Sequence, residues 1–529
     1  MSARSSGTAS AAISRRDALK GLGGVIAASA VAVRSPAEPA IAGNGAVQGG
    51  DGTLPKKPNI LWITGEGVPV SALSCYGSKL IATPNIDRIA KEGVRFENAF
   101  TTNALCAPSR ATLLTGTYTH INGMISNPDI PDIPADEEPH FDPAQETIAK
   151  ILRRNGYQTG MVGKWHLPVN PAKAGFDYFV YKEGAGGPYY EPTGYLGNPS
   201  LGSEVIEHQR HEGYETDVVT DLAIQGIEQF TQPWLMMVQY FNAHRPFDPP
   251  HQYEHIYDKA RIPEPGTFWD DYDHRASPAR TARMRIEDMP DFNPPADLTG
   301  RQRKQWNYQR FMEHFLGTLR AQDDNIGRLF EFLEKNRLLD NTVVVYTTDH
   351  GFFLGDHGWF DKRFMYEQAI RVPWMIRCPG LGAQGSVHSE WTVNIDNAPT
   401  VLHLAGLAAP AEMQGKSLVP MLHGEAPNGE PLSFYYHYYE FGSPHWVAPH
   451  YGIRTERFKL ISYYDRNEWE LFDLEKDPDE MENLFVDNGR KVQPGYEAIL
   501  QDLVEQLKAM RERYKDMTGR PVNLELLAD

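Results

Sequence analysis

Short apolar runs and segments with helical spacing alternate along most of the chain. The runs that predict buried strands are 59–63, 159–162, 234–240 and 343–347. The segments that predict helices are 84–92, 145–155, 217–230 and 303–337. Strands that alternate with helices are typical of βαβ units, so the pattern predicts an α/β fold with a mostly parallel sheet. In such sheets the reactive groups gather at the carboxyl ends of the strands.

The pattern changes after about residue 425. Short aromatic strands are predicted at 434–440, 451–454, 458–464 and 469–473, and an amphipathic helix at 495–515. They predict a small antiparallel sheet in a C-terminal α+β subdomain, 426–529, packed on a main domain at 58–425. The segment 253–302 is rich in Pro, Asp and Arg without periodicity, which predicts a long surface excursion.

Residues 1–42 have the features of an export signal. The twin-arginine pattern SRRDALK at 14–20 is followed by a mildly apolar run and by AIA, a cleavage site, at 40–42. Residues 43–57 are Gly-rich and polar, which predicts a linker. We expect recognition by the twin-arginine translocase and a periplasmic or secreted product. A basic tail that stays attached is the alternative.

The overall charge limits the possible ligands. The chain has a formal net charge of −18 and no basic stretch beyond its N-terminus, so nucleic-acid binding, which needs a cationic surface, is not expected. No apolar run approaches the roughly 20 residues of a membrane span. An anionic substrate could bind only through a local cluster of Lys, Arg and His or through a metal ion.

Three cysteines occur in 529 residues, at positions 75, 106 and 378. So few cysteines in an exported protein do not form a disulfide framework. Cys75 and Cys378 fit buried, small apolar side chains. Cys106 needs another explanation, which its neighbours in the sequence supply.

Four polar motifs occupy positions where a reactive site could form. They are CAPSR at 106–110 with TG at 115–116, GKWHL at 163–167, NAHRPF at 242–247, and TTDHG at 347–351 with GDHG at 355–358. Lys164 and His166 are two residues apart. In an extended segment both would face the same side and could contact one anion.

These motifs, in this order, resemble those of the formylglycine-dependent, cysteine-type sulfatases. The resemblance runs from about residue 58 to about residue 484 and includes TPNID at 83–87, RVP at 371–373, DNAPT at 396–400 and LFDL at 471–474. It implies an alkaline-phosphatase-like fold and hydrolysis of a sulfate ester. The aromatic stretch 434–440 is similar to that of bacterial sulfatases acting on glycans, including N-acetylglucosamine-6-sulfatase-like members. A sulfated carbohydrate is therefore the expected substrate.

The resemblance also implies the catalytic residues. In that family a maturation enzyme oxidises the cysteine, here Cys106, to formylglycine (3-oxoalanine), whose hydrate has one hydroxyl to attack sulfur and another to expel sulfate. Arg110 would hold the hydrate or the sulfate. His166 would help the hydrate to collapse, and His244 would protonate the leaving alcohol.

Substrate contacts are implied by the same resemblance. Lys164 and Lys362 would neutralise the sulfate charge together with Arg110, and His244 would also touch the substrate. His357 could provide a further contact, for which a solvated turn histidine is the alternative.

A calcium ion is implied as well. Asp349 and His350 would bind it together with Glu66 and Cys106. In the family, the PNIL strand motif leads to two adjacent acids. Here PNIL leads to Glu66 and Gly67, so one ligand is missing unless water or a backbone carbonyl replaces it. Lower metal affinity is the expected consequence.

Two other functions remain open from the sequence. A hydrolase of phosphate or phosphonate esters on the same fold could share the nucleophile and the metal. A glycan-binding protein whose site has decayed at Gly67 is the non-enzymatic alternative. The retention of Cys106, Arg110, Lys164 and His244 argues against decay.

Overall fold

The computed structural model describes residues 56–128, 138–182, 184, 186–198, 203–231, 233–257, 261–381, 384–423, 432–440, 442 and 444–518. The predicted export signal and nearly all of the predicted linker lie outside the described residues. Within these ranges, no helix combines the length and the apolar character that crossing a membrane requires.

A ten-stranded mixed sheet forms the centre of the fold. Its strands are β1 (Asn59–Gly65), β2 (Val94–Phe100), β3 (Gln158–Lys164), β4 (Tyr178–Lys182), β5 (Thr193–Asn198), β6 (Ser203–Arg210), β7 (Trp234–Gln239), β8 (Thr342–Thr348), β9 (Trp374–Arg377) and β10 (Ser386–Val393). They are ordered β10-β2-β9-β8-β1-β7-β3-β4-β5-β6. The five central strands, β8-β1-β7-β3-β4, are parallel, with Ile60 opposite both Val343 and Leu235. The predicted mostly parallel sheet is confirmed; β9 and β5 run antiparallel to the central strands, and β6 pairs antiparallel with β5.

Helices cover both faces of this sheet. They are α1 (Pro84–Glu92), α2 (Cys106–Thr115), α3 (Thr119–Asn122), α4 (Ile148–Arg154), α5 (Glu215–Gln229), α6 (Ser277–Thr281), α7 (Gly300–Lys335), α8 (Glu367–Ile370), α9 (Asn397–Leu404), α10 (Val419–Leu422) and α11 (Glu497–Tyr514). Helices α1, α5 and α7 pack on one face and α2, α4 and α9 on the other. Alternate residues of β1 pack in the two cores, as the period of two in a strand requires. Leu61 and Ile63 lie in the core with α1, α5 and α7, and Ile60 and Trp62 lie in the core with α2, α4 and α9.

A second, four-stranded sheet is antiparallel, as the aromatic strands predict. It contains β11 (Ser433–Tyr438), β12 (His450–Thr455), β13 (Phe458–Tyr463) and β14 (Glu468–Asp473), in that order. The two-stranded ribbon β15 (Phe485–Val486) and β16 (Lys491–Val492) follows. Helix α11 buries Leu503 and Leu507 in a core shared with Tyr435 and Leu460 of this sheet.

The prediction that 253–302 is a surface excursion holds only in part, because the segment has both exposed and buried residues. Phe268, Tyr272, Met284 and Ile286 from this segment are buried in the cores of the protein. The segment is irregular, so its apolar residues show no period that sequence reasoning can recognise. Phe268 and Ile286 belong to the core that includes α7, and Tyr272 and Met284 belong to a core that includes residues of the second sheet.

Asp516, just beyond α11, joins the C-terminal helix to β11 and, through His120, to α3 of the main domain. Its carboxylate accepts hydrogen bonds from Tyr435 Oη at 2.6 Å and pairs with His437 Nδ1 at 2.7 Å, both on β11. His120, which belongs to α3, lies 3.6 Å away through its Nδ1. The carboxylate is almost fully buried, so these groups compensate for its lost hydration.

Replacement of Asp516 by alanine is expected to lower the free energy of unfolding by about 2–4 kcal/mol, because two buried polar groups lose their acceptor. Thermal unfolding followed by circular dichroism measures the change. Asp502→Ala is the control, because Asp502 is exposed on α11 and bonds Gln506 on the same helix. Equal effects of the two substitutions would contradict the joining role of Asp516.

Candidate active site

The predicted site residues meet at the carboxyl ends of the central parallel strands. Glu66 directly follows β1, Asp349 directly follows β8, and Lys164 is the last residue of β3. His244 follows β7 within a short loop. Adjacent parallel strands end at the same edge of a sheet, so side chains that are far apart in sequence come together there.

Cys106 is the first residue of α2 and points into this group. Its Sγ lies 3.0 Å from Glu66 Oε1 and 3.5 Å from His350 Nε2, and its side chain also hydrogen-bonds His166. The start of the helix is held by Asn127, whose side-chain oxygen accepts from the Ala107 N–H at 3.0 Å. Burial and Glu66 oppose ionisation of the thiol, but nearby cations outweigh them and hold its pKa well below the usual value.

Arg110, one helical turn after Cys106, contacts four adjacent strand ends. Its guanidinium binds Glu66 at 2.6 Å and Asp349 at 3.1 Å. It also donates to Gln239 Oε1 at 2.8 Å and to the Lys164 carbonyl at 2.9 Å. The guanidinium is therefore committed largely to protein groups, and it orients the acids of the site.

Two lysines bring positive charge to the same cavity. Lys164 Nζ is 2.9 Å from Glu66 Oε1 and fully buried. Lys362 is also buried, with its Nζ 3.7 Å from Asp361 Oδ1. Burial alone would lower the pKa of Lys362, but Asp361 and the Cys106 thiolate raise it, so this lysine is charged at neutral pH.

His244 lies at the edge of the cluster. Its Nδ1 is 2.9 Å from the Arg245 carbonyl, and its Nε2 is 4.0 Å from Glu66 Oε1. A carbonyl oxygen accepts only, so Nδ1 carries the proton and Nε2 is the free face of the neutral ring. Burial, aided by Lys164, lowers the pKa of His244 to about 4.

The predicted metal ligands lie within reach of one ion. Ligand atoms of Glu66, Cys106, Asp349 and His350 all fall within 4.8 Å of one another, and all four residues are buried. Burial and the neighbouring Glu66 raise the pKa of Asp349 to about 6, because the two carboxylates lie close together in a buried site. A cation between them would relieve that repulsion. The donor set therefore fits a metal ion bound by carboxylate oxygens and one imidazole nitrogen.

The structure explains why position 67 has no acidic side chain. Gly67 has φ of +60°, and a Cβ there would lie 3.2 Å from His350 Cε1 and 2.9 Å from the Phe352 ring. Its backbone N–H instead donates to Asp349 Oδ1 at 3.2 Å. The imidazole of His350 thus fills the space that a second acid on this loop would need.

His357 is placed apart from the cluster. Its Nδ1 lies 3.0 Å from Asp270 Oδ2, and its ring packs between Trp359 and Tyr366. The side chain is fully buried in this aromatic group. A substrate contact by His357 stays a prediction, without a geometric link to the other site residues.

Sequence reasoning missed three residues that contribute to the site. Gln239 ends β7 and binds Arg110. Lys182 ends β4 beside Lys164, and Glu215 begins α5 nearby. The available signal was a polar residue at the end of an apolar strand, which is weak without a surrounding motif.

The family model for sulfatases matches residues 58–407. A second model, for the C-terminal region of N-sulphoglucosamine sulphohydrolase, matches residues 355–513. The first match covers more than half of the chain, so the chain belongs to the sulfatase family. The protein is an enzyme, a sulfuric ester hydrolase, as the motifs predict.

Individual relatives cover nearly the whole chain. The chain is 38% identical over 513 residues to the N-acetylglucosamine-6-O-sulfatase of Bacteroides thetaiotaomicron, with 87% of each sequence covered. A solved structure in complex with its substrate, D-glucosamine-2-N,6-O-disulfate, has a TM-score of 0.80 at 38% identity and covers 88% of this chain and 99% of that chain. The phosphonate monoester hydrolase of Agrobacterium radiobacter has a TM-score of 0.66 at 21% identity, covering 86% and 96%. The alkaline-phosphatase-like fold is thereby confirmed.

Gly67→Asp is expected to bind calcium no more tightly than the unchanged protein and to unfold at a lower temperature. The new side chain would collide with His350 and Phe352, and its φ would be strained. Gly77→Asp is the matched control, because Gly77 has φ of +97° but no atom within 4 Å of a built Cβ. Calorimetric titration with calcium and thermal unfolding measure both effects. Tighter calcium binding by Gly67→Asp would show that position 67 can supply a ligand.

Proposed function

We propose that the protein removes the 6-O-sulfate from a glucosamine-type sugar, using a formylglycine formed from Cys106. The observation that carries this proposal is the setting of Cys106, whose Sγ faces Glu66 and His350 at the start of a buried helix. The substrate class follows from the similarity to an N-acetylglucosamine-6-O-sulfatase and to the complex with D-glucosamine-2-N,6-O-disulfate.

Hydrated formylglycine would supply one hydroxyl to attack sulfur and a second whose deprotonation expels sulfate. The protein's part is to hold that group and to move protons. His166 hydrogen-bonds the Cys106 side chain, which suits it to accept the proton of the second hydroxyl. Arg110 keeps Glu66 and Asp349 oriented beside the nucleophile.

His244 would protonate the leaving sugar oxygen through Nε2. With its pKa lowered to about 4 by burial and Lys164, the ring is neutral at pH 7 in the substrate-free protein. An anionic sulfate ester bound beside it would raise this pKa by favouring the imidazolium form. General-acid catalysis by His244 therefore depends on the charge of the substrate.

The sulfate group would be held by Lys164 and Lys362, two buried ammonium groups. Together with Arg110 they bring three cationic side chains to one buried group of residues, beside the acids Glu66, Asp349 and Asp361. Positive side chains are thus gathered at one point of a chain whose net charge is −18. Such a group suits an anionic sulfate ester.

Calcium held by Glu66, Asp349 and His350, with the oxygen of the matured residue 106, would supply further positive charge to a sulfate oxygen. Two carboxylates are ligands that calcium prefers. The ligand atoms of these four residues lie within 4.8 Å of one another, which supports one shared metal ion.

We also propose export and maturation as parts of the function. The twin-arginine pattern at 14–20 supports translocation by the twin-arginine translocase to the periplasm or beyond. The CAPSR motif at 106–110 supports recognition by a formylglycine-generating enzyme. We place the boundary between catalytic domain and C-terminal subdomain near residue 425.

Protein produced with a formylglycine-generating enzyme is expected to release sulfate from N-acetylglucosamine 6-sulfate. Cys106→Ala should lower kcat/KM by about 10³-fold or more, because the nucleophile is lost. Cys378→Ala is the matched control, since Cys378 is also buried, but its thiol contacts the Pro379 carbonyl and no proposed site residue. Sulfate release measured by ion chromatography follows the reaction.

The same assay separates the alternatives. N-acetylglucosamine 6-phosphate tests phosphate ester hydrolysis, and 3-O-sulfated and galactose 6-sulfate sugars test the position and the sugar. Higher kcat/KM for the phosphate ester than for every sulfate ester would contradict the proposal. Full activity of Cys106→Ala would exclude Cys106 as the source of the nucleophile.

A further inference from the structure

Two buried lysines end neighbouring strands in the same register. Lys182 is the last residue of β4, and it pairs directly with Lys164, the last residue of β3. Parallel strands lie about 4.8 Å apart, and paired residues project from the same face. Both ammonium groups flank the ring of Phe241, with Nζ to ring-centre distances of 3.6 Å for Lys182 and 5.6 Å for Lys164.

Such an arrangement is unfavourable unless something compensates for it. Lys182 is 7% exposed and Lys164 is fully buried, so neither charge is well hydrated. Lys182 Nζ donates to the Pro188 carbonyl at 3.2 Å. Burial lowers the pKa of Lys182 to about 8, and the charge of Lys164 acts in the same direction.

Glu215 supplies the compensating negative charge above its pKa, which burial raises to about 7 against the opposing effects of Lys182 and Lys164. It is the first residue of α5 and 1% exposed. Neither of its carboxylate oxygens has a hydrogen-bond partner among the described residues, so its interactions with Lys182 and Lys164 are those between nearby charges. A carboxylate at a helix N-terminus is additionally stabilised by the helix dipole.

The same group of residues supports His244. Tyr189 Oη donates to the His244 carbonyl at 2.6 Å, and the Tyr189 ring packs on Phe241. The Glu215 N–H in turn donates to the Tyr189 carbonyl at 2.6 Å. Lys182 thus adjoins Lys164, and Glu215 is linked through Tyr189 to His244. The proposed function uses both Lys164 and His244.

We propose that Lys182 and Glu215 are positioning residues of the sulfate site: Lys182 adds positive charge behind Lys164, and Glu215 limits the repulsion between the two lysines. The inference rests on the proposed sulfatase function. Lys182 contributes through its electric field, since Lys164 of the adjacent strand β3 lies between it and Glu66. Substrate and transition state feel this field alike, so it acts on anion affinity and on KM more than on kcat.

The two charges have opposite signs, and this makes the proposal testable. Loss of the Lys182 charge should weaken anion binding, whereas loss of the Glu215 charge should leave it unchanged or strengthen it. A merely structural role would weaken binding in both cases, because each substitution would loosen the same packing. The direction of the second effect therefore distinguishes the two explanations.

The experiment measures the Kd of inorganic sulfate by calorimetry, together with kcat and KM, for the matured, calcium-loaded enzyme. At pH 7.5, between the Glu215 pKa of about 7 and the Lys182 pKa of about 8, both side chains are mostly charged. Lys182→Met is expected to raise Kd and KM about 5- to 10-fold, with kcat changed less than about threefold. Lys182→Arg, which keeps the charge, should stay within about threefold of the unchanged enzyme, and Glu215→Gln should not raise Kd.

The inference is overturned if Lys182→Met leaves Kd within about threefold, or if Glu215→Gln raises Kd as much as Lys182→Met does. Lys182→Gln replaces Lys182→Met in the comparison with Lys182→Arg if the methionine variant does not fold. If the unchanged enzyme hydrolyses the sulfate ester and Lys182→Met has the same Kd and KM, this inference alone is wrong. If the unchanged enzyme neither binds sulfate nor hydrolyses the ester, the proposed function is wrong as well as this inference.

Discussion

The guanidinium of Arg110 joins four neighbouring strands of the central sheet at their carboxyl ends. It binds Asp349 after β8, Glu66 after β1, Gln239 at the end of β7 and the Lys164 carbonyl at the end of β3. A charge removed from water costs several kcal/mol unless its hydrogen bonds are replaced. Here they are replaced by groups from every one of these strands, so the acids of the site can be oriented only when the sheet is complete.

This constraint organises the remaining charges. Glu66 contacts Arg110, Lys164 and the Cys106 thiol, so one carboxylate fixes the start of α2 relative to the end of β3. The imidazole of His350 occupies the space beside Gly67. An acidic protein thereby gathers cationic side chains at one buried point, because charge is arranged locally and not through the overall composition.

Much of this could be predicted from the sequence, for identifiable reasons. The central strands are buried on both faces, and the reactive residues follow them in short motifs, so CAPSR, GKWHL and TTDHG located Cys106, Lys164 and Asp349. The segment 253–302 was misjudged in part, because several of its apolar residues are buried without a period that a sequence pattern reveals. Three features could not be predicted, because they depend on contacts between distant segments that no local pattern records. They are the crowding of position 67 by His350, the binding of Arg110 to Glu66 and Asp349, and the Lys182–Glu215 pair.

The central claim is that this buried charge cluster works through a formylglycine at position 106. Mass spectrometry of the peptide containing Cys106, from active protein made with a formylglycine-generating enzyme, tests it most directly. The account predicts a peptide about 18 Da lighter than the thiol form, because the thiol is replaced by an aldehyde. A wholly unmodified thiol in a preparation that hydrolyses sulfate esters would contradict it.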